Sequence, residues 1–565
     1  MSVRFGVLAA TSIAFLLRMW ALDQQALWWD EGYSIFLASH SVPYIVHNVS
    51  GDHPPGYFLL LHLFTEVTGY SAIAVRFPSV LLGALSVPLI YQVGRRMFDS
   101  RIALLAALLL ALSPFHIGRS QDARMYPLVI LLSLLSLYLM LRIMSAHDVL
   151  NRGHRSALPS RSRPIVWFAY ALVSAATIFT HYYASLFLFA QTVFVLGWGR
   201  SRKFAVYWLG AQAAIALLFG LWLAYHGPDM LRYIERKVVV EQATSLGYLA
   251  YWHEYLRTVG AGYLLSGWAQ GVVLVVLGLG LVAWWLRGPN GQPLLFLGLC
   301  LALLVVPVTI GVLINIRWPF EHFPRLLSPT LIPLCILAAV GLFGLRRHVS
   351  PGLFWAGLLL LVGGSAHDLF GYYHQTMETY TGGQEDFRPL IRDLRLMAQP
   401  QDAILAEFPW QVGYFQSYSP DLLPSLHLTT EVFPKEDQAL LRKEAFETVW
   451  LARSDIKQFY EREGWDIANW EEIMADWWSH TPEAQSVSGD IVSLASWDYG
   501  FLPESQREAL DQLMREDGGR RIWYLAYQAL GDTSGRGIDG YLTRRYARIF
   551  ARDYGNQRLI LFSGP

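Results

Sequence analysis

The sequence predicts a polytopic α-helical membrane protein with a soluble α/β domain at its C-terminal end. The chain of 565 residues is 54% hydrophobic and only 16% charged, with a mean hydropathy of +0.31, whereas about a quarter of a soluble protein's residues are charged. Apolar runs of about 17–25 residues, long enough to cross a bilayer, fall within residues 1–369. We therefore place a membrane domain at 1–369 and a soluble domain at 370–565.

About eleven membrane-spanning helices are predicted. They cover residues 4–22, 79–94, 101–117, 126–144, 164–180, 184–199, 204–225, 264–286, 294–314, 326–345 and 352–369. The first run could instead be a signal peptide, but its length, Arg18 within it and the acids that follow it favour a retained helix. The stretch "PPGYFLLLHLFTEVTG" is apolar but short and is interrupted by His62 and Glu66. It is typical of a helix that lies at the membrane surface.

Basic residues predict the orientation of these helices. The loops on one side contain most of the arginines and lysines, among them Arg95, Arg96, Arg142, Arg202 and Arg347, and the short loops on the other side contain few. Because positively charged loops stay in the cytoplasm, the N-terminus is predicted to be cytoplasmic in a multi-pass plasma-membrane protein. An odd number of spans then makes the C-terminal domain extracytoplasmic.

The C-terminal part alternates between strand-like and helix-like patterns. Strands are predicted at 402–408, 448–454, 521–527 and 558–564, and amphipathic helices at 387–399 and 506–516. This alternation predicts a small α/β domain. The chain has 44 basic and 44 acidic residues, so its charge gives no indication of a nucleic-acid partner.

Two predicted external segments carry acids. "WWDEGYSIF" places Asp30 and Glu31 where the first helix meets water, and tandem acids at such a boundary are costly unless water or a cation serves them. They could also be ordinary interfacial residues. In "SGDHPPGYF" two prolines fix the backbone behind Asp52 and His53, although Asp52 could simply cap the following helix.

A third external segment carries arginines. "GRSQDARMYPL" contains Arg119, Asp122, Arg124 and Tyr126 in a short turn between two predicted spans. Two arginines are unusual in a short external loop. We interpret them as groups that hold an anion, such as a phosphate.

Two further segments have open interpretations. His181 and Tyr182 in "THYYAS" fit a substrate site and an aromatic belt at the membrane interface equally well. Arg325 in "RWPFEHFPRLLSP" either extends to the interface or neutralises a buried anion, and Glu321 and His322 lie close to it in sequence.

These residues together predict a reaction. Carboxylates serve as general bases or metal ligands, and arginines hold a departing phosphate. If the helices bundle, the loops that carry them converge, which fits displacement of a lipid phosphate by an acceptor hydroxyl. Asp30, Glu31, Asp52 and Asp122 could assemble a site for Mg, Mn or Zn, but no ligand spacing requires a metal.

Several motifs carry a family resemblance. The acidic pair, "HPPGYFLLLHLF", "VRFPSVLLGALSVPLIYQVGRRMF", "SQDARMYPL" and "THYYA" occur in this order within roughly residues 1–340. In this order and spacing they resemble the GT-C glycosyltransferases. The similarity is to bacterial relatives of the protein O-mannosyltransferases (glycosyltransferase family 39) and of the lipid A aminoarabinose transferase.

The resemblance implies a polyprenyl-phosphate-linked sugar as the donor and an inverting transfer to a glycan, lipid or protein acceptor at the exterior face. Asp30 matches the acid that acts as general base on the acceptor hydroxyl. Asp52 and His53 match an acid and a cation implicated in metal and donor-phosphate contacts, with histidine replacing the usual lysine. Arg124 matches an arginine at the donor phosphate, and Asp122 precedes it where an acid is usual.

The predicted site has three groups of residues and one candidate metal ligand. They are the catalytic carboxylates Asp30 and Glu31, the phosphate-binding His53, Arg124 and Arg325, the substrate-binding Asp122, Tyr126, His181 and Tyr182, and Asp52 as the metal ligand.

Three alternatives stay open. "SWDYGF" (496–501) resembles the "WWDYG" motif of oligosaccharyltransferases, but Ser496 replaces the first tryptophan. A transporter or flippase would place its ionisable groups near the bilayer midplane, often in repeated halves, and no repeat is visible. A scaffold that only binds polyprenyl lipid also fits. Pocket shape, rather than these motifs, determines which sugar is transferred.

Overall fold

The computed structural model describes most of the chain, and its residues divide into two compact units. The described residues are 3–49, 53–146, 163–198, 202–241, 245–261, 267–287, 292–319, 323–374, 386–428, 504–515, 521–527 and 537–564. The first unit comprises Met1–Gln25, Leu37–Gly69 and Ile73–Glu378, and the second comprises Ala26–Phe36, Tyr70–Ala72 and Thr379–Pro565. The predicted strand at 448–454, the segment "SWDYGF", Asp52, Glu321 and His322 lie outside the described residues.

Seventeen α-helices precede the soluble domain in the described residues, and apart from most of α2 they build the first unit. In chain order they are α1 (Val3–Met19), α2 (Trp29–Ala38), α3 (Val42–Asn48), α4 (Gly56–Thr68), α5 (Ala72–Met97), α6 (Ser100–Leu112), α7 (Pro114–Ser120), α8 (Tyr126–Ala146), α9 (Arg163–Thr180), α10 (Ala184–Trp198), α11 (Arg202–Glu241), α12 (Tyr248–Tyr255), α13 (Gly267–Arg287), α14 (Gln292–Arg317), α15 (Phe323–Leu326), α16 (Leu331–His348) and α17 (Pro351–Tyr373). A π-helix, Leu256–Ala261, follows α12, and a 3-10 turn, Ser328–Thr330, precedes α16. The first residues of α2, Trp29 to Phe36, group with the second unit.

Several of these helices are apolar enough to cross a membrane. Among the described residues, six have the required length and composition, or seven if the bent pair α6–α7 forms one span. The span predicted at 101–117 is divided between α6 and α7, and the span predicted at 326–345 begins at the end of α15 and continues through the 3-10 turn into α16, whereas the other predicted spans each fall mainly on one helix. The short helix predicted at 54–69 is α4. The predicted fold class is confirmed, and the number of eleven spans stays a prediction.

The break between α6 and α7 has a clear local cause. The two helices meet at an angle of 56°. Pro114 starts α7 and has no N–H to continue α6, while the Ser113 side chain accepts a hydrogen bond from the His116 N–H at 3.3 Å. α7 then ends at Ser120, and the turn that follows it carries Asp122 and Arg124.

Glycines allow α13 and α16 to pack closely. A Cβ atom on Gly280 would lie 2.6 Å from the carbonyl carbon of Gly341, and one on Gly344 would lie 2.8 Å from the carbonyl carbon of Gly280. Small residues are the usual means of bringing two membrane helices into backbone contact. This pair therefore forms a tightly packed part of the helical unit.

The second unit contains a five-stranded mixed sheet. Its elements are α18 (Arg388–Met397), β1 (Ala403–Ala406), α19 (Pro409–Tyr418), β2 (Leu426–Leu428), α20 (Glu504–Arg515), β3 (Arg521–Tyr527), α21 (Gly537–Arg545), β4 (Ala547–Tyr554) and β5 (Gln557–Ser563). The strand order is β2-β1-β3-β5-β4. β1 pairs in parallel with β2 and β3, and β5 pairs antiparallel with β3 and β4. The small α/β domain predicted from the sequence is confirmed.

Alternating residues of β3 determine how this sheet is buried. Ile522, Tyr524 and Ala526 share one apolar face with residues of β1, β5, α20 and α21. On the other side of β3, Trp523 donates its indole N–H to Asp402 Oδ2 at 2.7 Å, and Arg521 forms two hydrogen bonds with the Asp402 carboxylate, at 2.8 and 2.5 Å. Asp402 therefore links the start of β1 to β3.

Candidate functional site

His53 and Arg124 form the central pair of the predicted phosphate site. Arg124 is buried, and its Nη2 lies 2.7 Å from His53 Nε2. A guanidinium group can only donate hydrogen bonds, so Nε2 of His53 is the acceptor and carries no proton in this arrangement. His53 therefore orients the Arg124 side chain, and Arg124 supplies the positive charge of the pair.

The backbone around Arg124 is held by two neighbouring helices. Ser79 on α5 lies 3.3 Å from the Arg124 carbonyl oxygen, to which its hydroxyl donates. Tyr57 on α4 lies within 3.2 Å of the same hydroxyl. α4, α5 and the turn after α7 are thus connected through buried polar groups, which limits the positions open to the guanidinium group.

A second group surrounds the start of α8. Arg119 Nη1 forms an ion pair with Asp122 Oδ2 at 2.9 Å, and its guanidinium carbon lies 5.4 Å from the centre of the Tyr126 ring. The rings of Tyr126 and His181 have centroids 6.0 Å apart. The Tyr183 N–H donates to His181 Nδ1 at 3.2 Å, which leaves Nε2 of a neutral His181 as the protonated nitrogen. The structure therefore brings Asp122 and Tyr126 to Arg119, and His181 to Tyr126.

Tyr182 and Arg325 have different neighbours. The Trp222 indole N–H donates to the Tyr182 hydroxyl at 2.9 Å, and the Tyr182 ring lies 5.9 Å from that of Phe219, both on α11. Arg325 lies on α15, which packs against α12, α14 and the π-helix. The Tyr182 side chain therefore contacts α11.

A buried polar network at Arg18 supports the turn that carries Asp122 and Arg124. Arg18 Nη1 donates to the carbonyl oxygens of Ala14 and Ala111 at 2.9 and 3.2 Å, and Nη2 lies 2.6 Å from His116 Nδ1. The Gln121 side-chain N–H donates to the Arg18 carbonyl oxygen at 2.9 Å. Arg18 thereby fixes the end of α1 to α6 and α7.

The sequence alone does not indicate this role for Arg18. An arginine inside an apolar run was a signal of a buried polar partner. The partner itself, His116, lies 98 positions further along the chain, and neither residue belongs to a recognisable motif.

The acidic pair lies in the first turn of α2, within the second unit. Asp30 and Glu31 are both buried, and the Trp28 N–H lies 3.4 Å from Glu31 Oε2. This is the arrangement in which a third-position glutamate caps the start of its own helix. Acids in a first helical turn are also favoured by the helix dipole. One oxygen of Glu31 thus caps the start of its own helix, and the Asp30 backbone carbonyl accepts a hydrogen bond from Ser34 at 2.9 Å. The catalytic assignment of Asp30 and Glu31 stays a prediction.

The described residues form no cluster of metal ligands. Among them, no group of three or more histidine, cysteine, aspartate or glutamate side chains lies close enough to hold a metal ion. Asp52, the candidate ligand, is outside the described residues. Dependence on a divalent metal stays a prediction.

Comparison with known proteins identifies the fold. Residues 52–225 match the model of the family described as dolichyl-phosphate-mannose-protein mannosyltransferase. The structure of ArnT from Cupriavidus metallidurans bound to undecaprenyl phosphate is similar at a TM-score of 0.56 and 14% identity, covering 99% of this chain and 97% of that chain. The apo ArnT structure gives 0.55 and 14%, covering 100% and 98%.

A weaker similarity extends to an oligosaccharyltransferase. The Archaeoglobus fulgidus enzyme tethered to an acceptor peptide matches at a TM-score of 0.48 and 10% identity, covering 99% of this chain and 74% of that chain. We found no significant match to a curated protein sequence. His53, Arg119, Asp122, Arg124 and His181 all lie inside the segment that matches the family model. The chain is a multi-pass membrane protein with an ArnT-like fold, and the resemblance to the GT-C glycosyltransferases predicted from its sequence is confirmed.

Proposed function

We propose that this protein is an inverting membrane glycosyltransferase that moves a sugar from a polyprenyl-phosphate donor to an acceptor hydroxyl at the extracytoplasmic face. The observation that carries the proposal is the hydrogen-bonded pair of half-buried His53 and buried Arg124. It lies inside the segment that matches a family described by its dolichyl-phosphate-mannose donor. The fold is also that of a protein solved with undecaprenyl phosphate, which is a polyprenyl phosphate of the proposed kind.

The proposed reaction is a single displacement at the anomeric carbon of the sugar. The acceptor oxygen forms the new bond to that carbon as its proton passes to the Asp30 carboxylate. The bond between the anomeric carbon and the phosphate oxygen breaks, and its electron pair leaves with the polyprenyl phosphate. One displacement inverts the configuration. A phosphate is already a weak base when it departs, so the step needs no strong general acid.

The residues have separate proposed roles in this step. Arg124 stabilises the charge on the departing phosphate, and His53 orients Arg124. Asp30 is the general base. Glu31 holds the start of α2, consistent with its contact to the Trp28 N–H. Asp122, Tyr126, His181 and Tyr182 contribute to substrate binding, and Arg325 is a further candidate cation for the donor phosphate.

The decisive experiment is a transfer assay with purified protein in lipid. A panel of polyprenyl-phosphate sugars is offered with acceptors from a whole-cell extract, and release of polyprenyl phosphate is measured. Asp30→Asn should reduce turnover about 1,000-fold, within the range for loss of a general base, while donor binding persists. Asp23→Asn is the matched control, because Asp23 is an exposed acid in the same region.

Each outcome has a distinct meaning. If Asp30→Asn is as active as the wild type, the assignment of the base is wrong even if the enzyme class is right. If the wild type binds donors but never releases polyprenyl phosphate, the scaffold or transport interpretation is preferred. Adding EDTA to the same assay tests the dependence on a divalent metal.

A further inference from the structure

Two glycines bring α2 into backbone contact with α19 of the soluble domain. A Cβ atom on Gly413 would lie 2.7 Å from the carbonyl carbon of Gly32 and would overlap the carbonyl oxygen. In turn, a Cβ atom on Gly32 would lie 3.2 Å from the carbonyl carbon of Trp410 and would overlap its oxygen. Because backbone atoms lie on both sides of the contact, no side-chain movement could make room for a methyl group.

A hydrogen bond holds the chain on the other side of the acids. The Leu27 N–H donates to the Tyr418 hydroxyl at 2.7 Å. Tyr418 is the last residue of α19, and Gly413 lies near its middle. The short segment from Leu27 to Gly32 is therefore attached to α19 at both ends, and Asp30 and Glu31 lie between the two attachments.

α19 is in turn attached to the sheet. Buried Gln411 accepts hydrogen bonds from the N–H groups of Glu407 and Phe408 at 2.8 and 2.9 Å. Its side-chain N–H groups donate to the Leu525 carbonyl oxygen on β3 at 3.2 Å and to Gln557 Oε1 on β5 at 3.1 Å. Because α19 is attached both to the sheet and to the segment that carries the acids, it fixes that segment relative to the sheet.

The close packing against α19 explains why a glycine occupies position 32. Glycine inside a helix costs about 1 kcal/mol relative to alanine. Gly32 lies inside α2, one residue after Glu31, so it lowers the stability of that helix by this amount. The close approach of α19 supplies the reason.

From these contacts we infer that α19 is a positioning element for the proposed base, with Gly32, Gly413 and Tyr418 as positioning residues of the transfer reaction. The inference rests on the proposed function. In this inference the soluble domain contributes to catalysis by holding the Asp30 carboxylate where it meets the acceptor hydroxyl. None of the three positioning residues needs to touch a substrate for this task.

The test is a double-mutant cycle between Gly413→Ala and Asp30→Asn in the full-length protein. Gly413→Ala should lower kcat about 100-fold, the effect expected for a displacement near 1 Å, while the KM for the donor stays unchanged. In the Asp30→Asn background the same change should have no further effect, because its action passes through Asp30. Gly210→Ala is the matched control, since a methyl group there meets no atom within 4 Å.

A second variant keeps the test valid if Gly413→Ala does not fold. Tyr418→Phe keeps the ring and removes only the hydroxyl that accepts the Leu27 N–H, so kcat should fall about fivefold, a loss typical of one hydrogen bond. That loss should also disappear in the Asp30→Asn background. Gln416→Ala, a partly buried change on the same helix, serves as its control.

The results separate this inference from the proposed function. Loss of activity in Asp30→Asn together with full activity in folded Gly413→Ala and Tyr418→Phe would overturn the inference alone. Losses of equal size in the presence and absence of the Asp30 carboxylate would also overturn it, because a purely structural role would then suffice. A wild-type protein without any transfer activity would overturn the proposed function first.

Discussion

The cations and the acids of the predicted site are held by different parts of the fold. His53, Arg124 and their neighbours are fixed by hydrogen bonds among α4, α5 and the turn between α7 and α8. The segment with Asp30 and Glu31 is fixed by α19 of the soluble domain. The first group is placed by buried side chains, and the second by backbone contact and a capping interaction. Loss of a single side chain should therefore disturb the cations more directly, whereas the acids depend on the integrity of a whole domain.

The largest expected effect concerns the stability of the soluble domain, whose helix α19 holds the segment with Asp30 and Glu31. Asp402→Ala removes the carboxylate that Arg521 and Trp523 share, so the free energy of unfolding of the soluble domain should fall by about 3 kcal/mol. Hydrogen exchange of the β3 amides during denaturation measures this. Asp553→Ala is the control, because Asp553 is 61% exposed and its ion pair contributes little. Equal losses in both variants would contradict the role of Asp402.

The next effect tests the cations. Arg124→Ala should lower kcat/KM for the donor about 100-fold, because the departing phosphate loses its positive partner. The stability of the soluble domain should not change. Arg96→Ala removes an exposed arginine elsewhere and should leave kcat/KM unaltered. An unchanged kcat/KM in Arg124→Ala would remove Arg124 from the proposed phosphate site.

A smaller effect distinguishes orientation from charge at His53. His53→Leu removes the acceptor that faces Arg124 Nη2 and should lower kcat/KM about tenfold. His53→Gln restores an acceptor oxygen and should recover most of that loss. If leucine and glutamine at this position behave alike, His53 does not act through the hydrogen bond to Arg124.

The smallest effect concerns acid sensitivity of the soluble domain. Hydrogen bonding from Tyr554, together with Arg392 and Arg552, lowers the pKa of Asp393 on α18 below its ordinary value. A depressed pKa stabilises the fold above the ordinary value of about 4, and the contribution is lost as the pH falls through the lower, folded-state pKa. Tyr554→Phe should therefore cost about 1 kcal/mol at pH 7.

The difference between Tyr554→Phe and the wild type should shrink as the pH falls below about 4. Unfolding curves between pH 3 and pH 7, on the order of one curve per pH unit, measure it directly. Tyr546→Phe is a useful comparison, because Tyr546 donates to Asp511 rather than to Asp393. A pH-independent difference for Tyr554→Phe would exclude the proposed linkage.

Sequence patterns predicted the elements better than their partners. The alternation in "RIWYLAY" placed β3 at 521–527, where the structure has Arg521–Tyr527. Apolar length and proline positions located the helices, because both are local properties of the chain. The association of the acidic segment with α19 is not local: it requires Gly32 and Gly413 to meet across roughly 380 intervening residues.

In the candidate site, too, the sequence indicates local groups of residues but not their tertiary partners. Asp122, Arg124 and Tyr126 were recognised because they lie in one short turn. Tyr182 was grouped with His181 by adjacency, but neighbouring side chains at a helix boundary point in different directions, and Tyr182 contacts α11. The pairing of His53 with Arg124 depends on tertiary packing between α4 and the turn after α7, which no spacing in the sequence specifies.

The contact between Gly32 and Gly413 also has a consequence for the order of events during synthesis. The acids emerge from the ribosome early, yet the helix that holds them follows roughly 380 residues later. At about 5–20 residues per second, that interval lasts on the order of 20–80 seconds. A chain interrupted after α17 would already contain every helix around Arg124 but not α19. The proposed base would thus be the last part of the catalytic machinery to reach its final position in a newly made molecule.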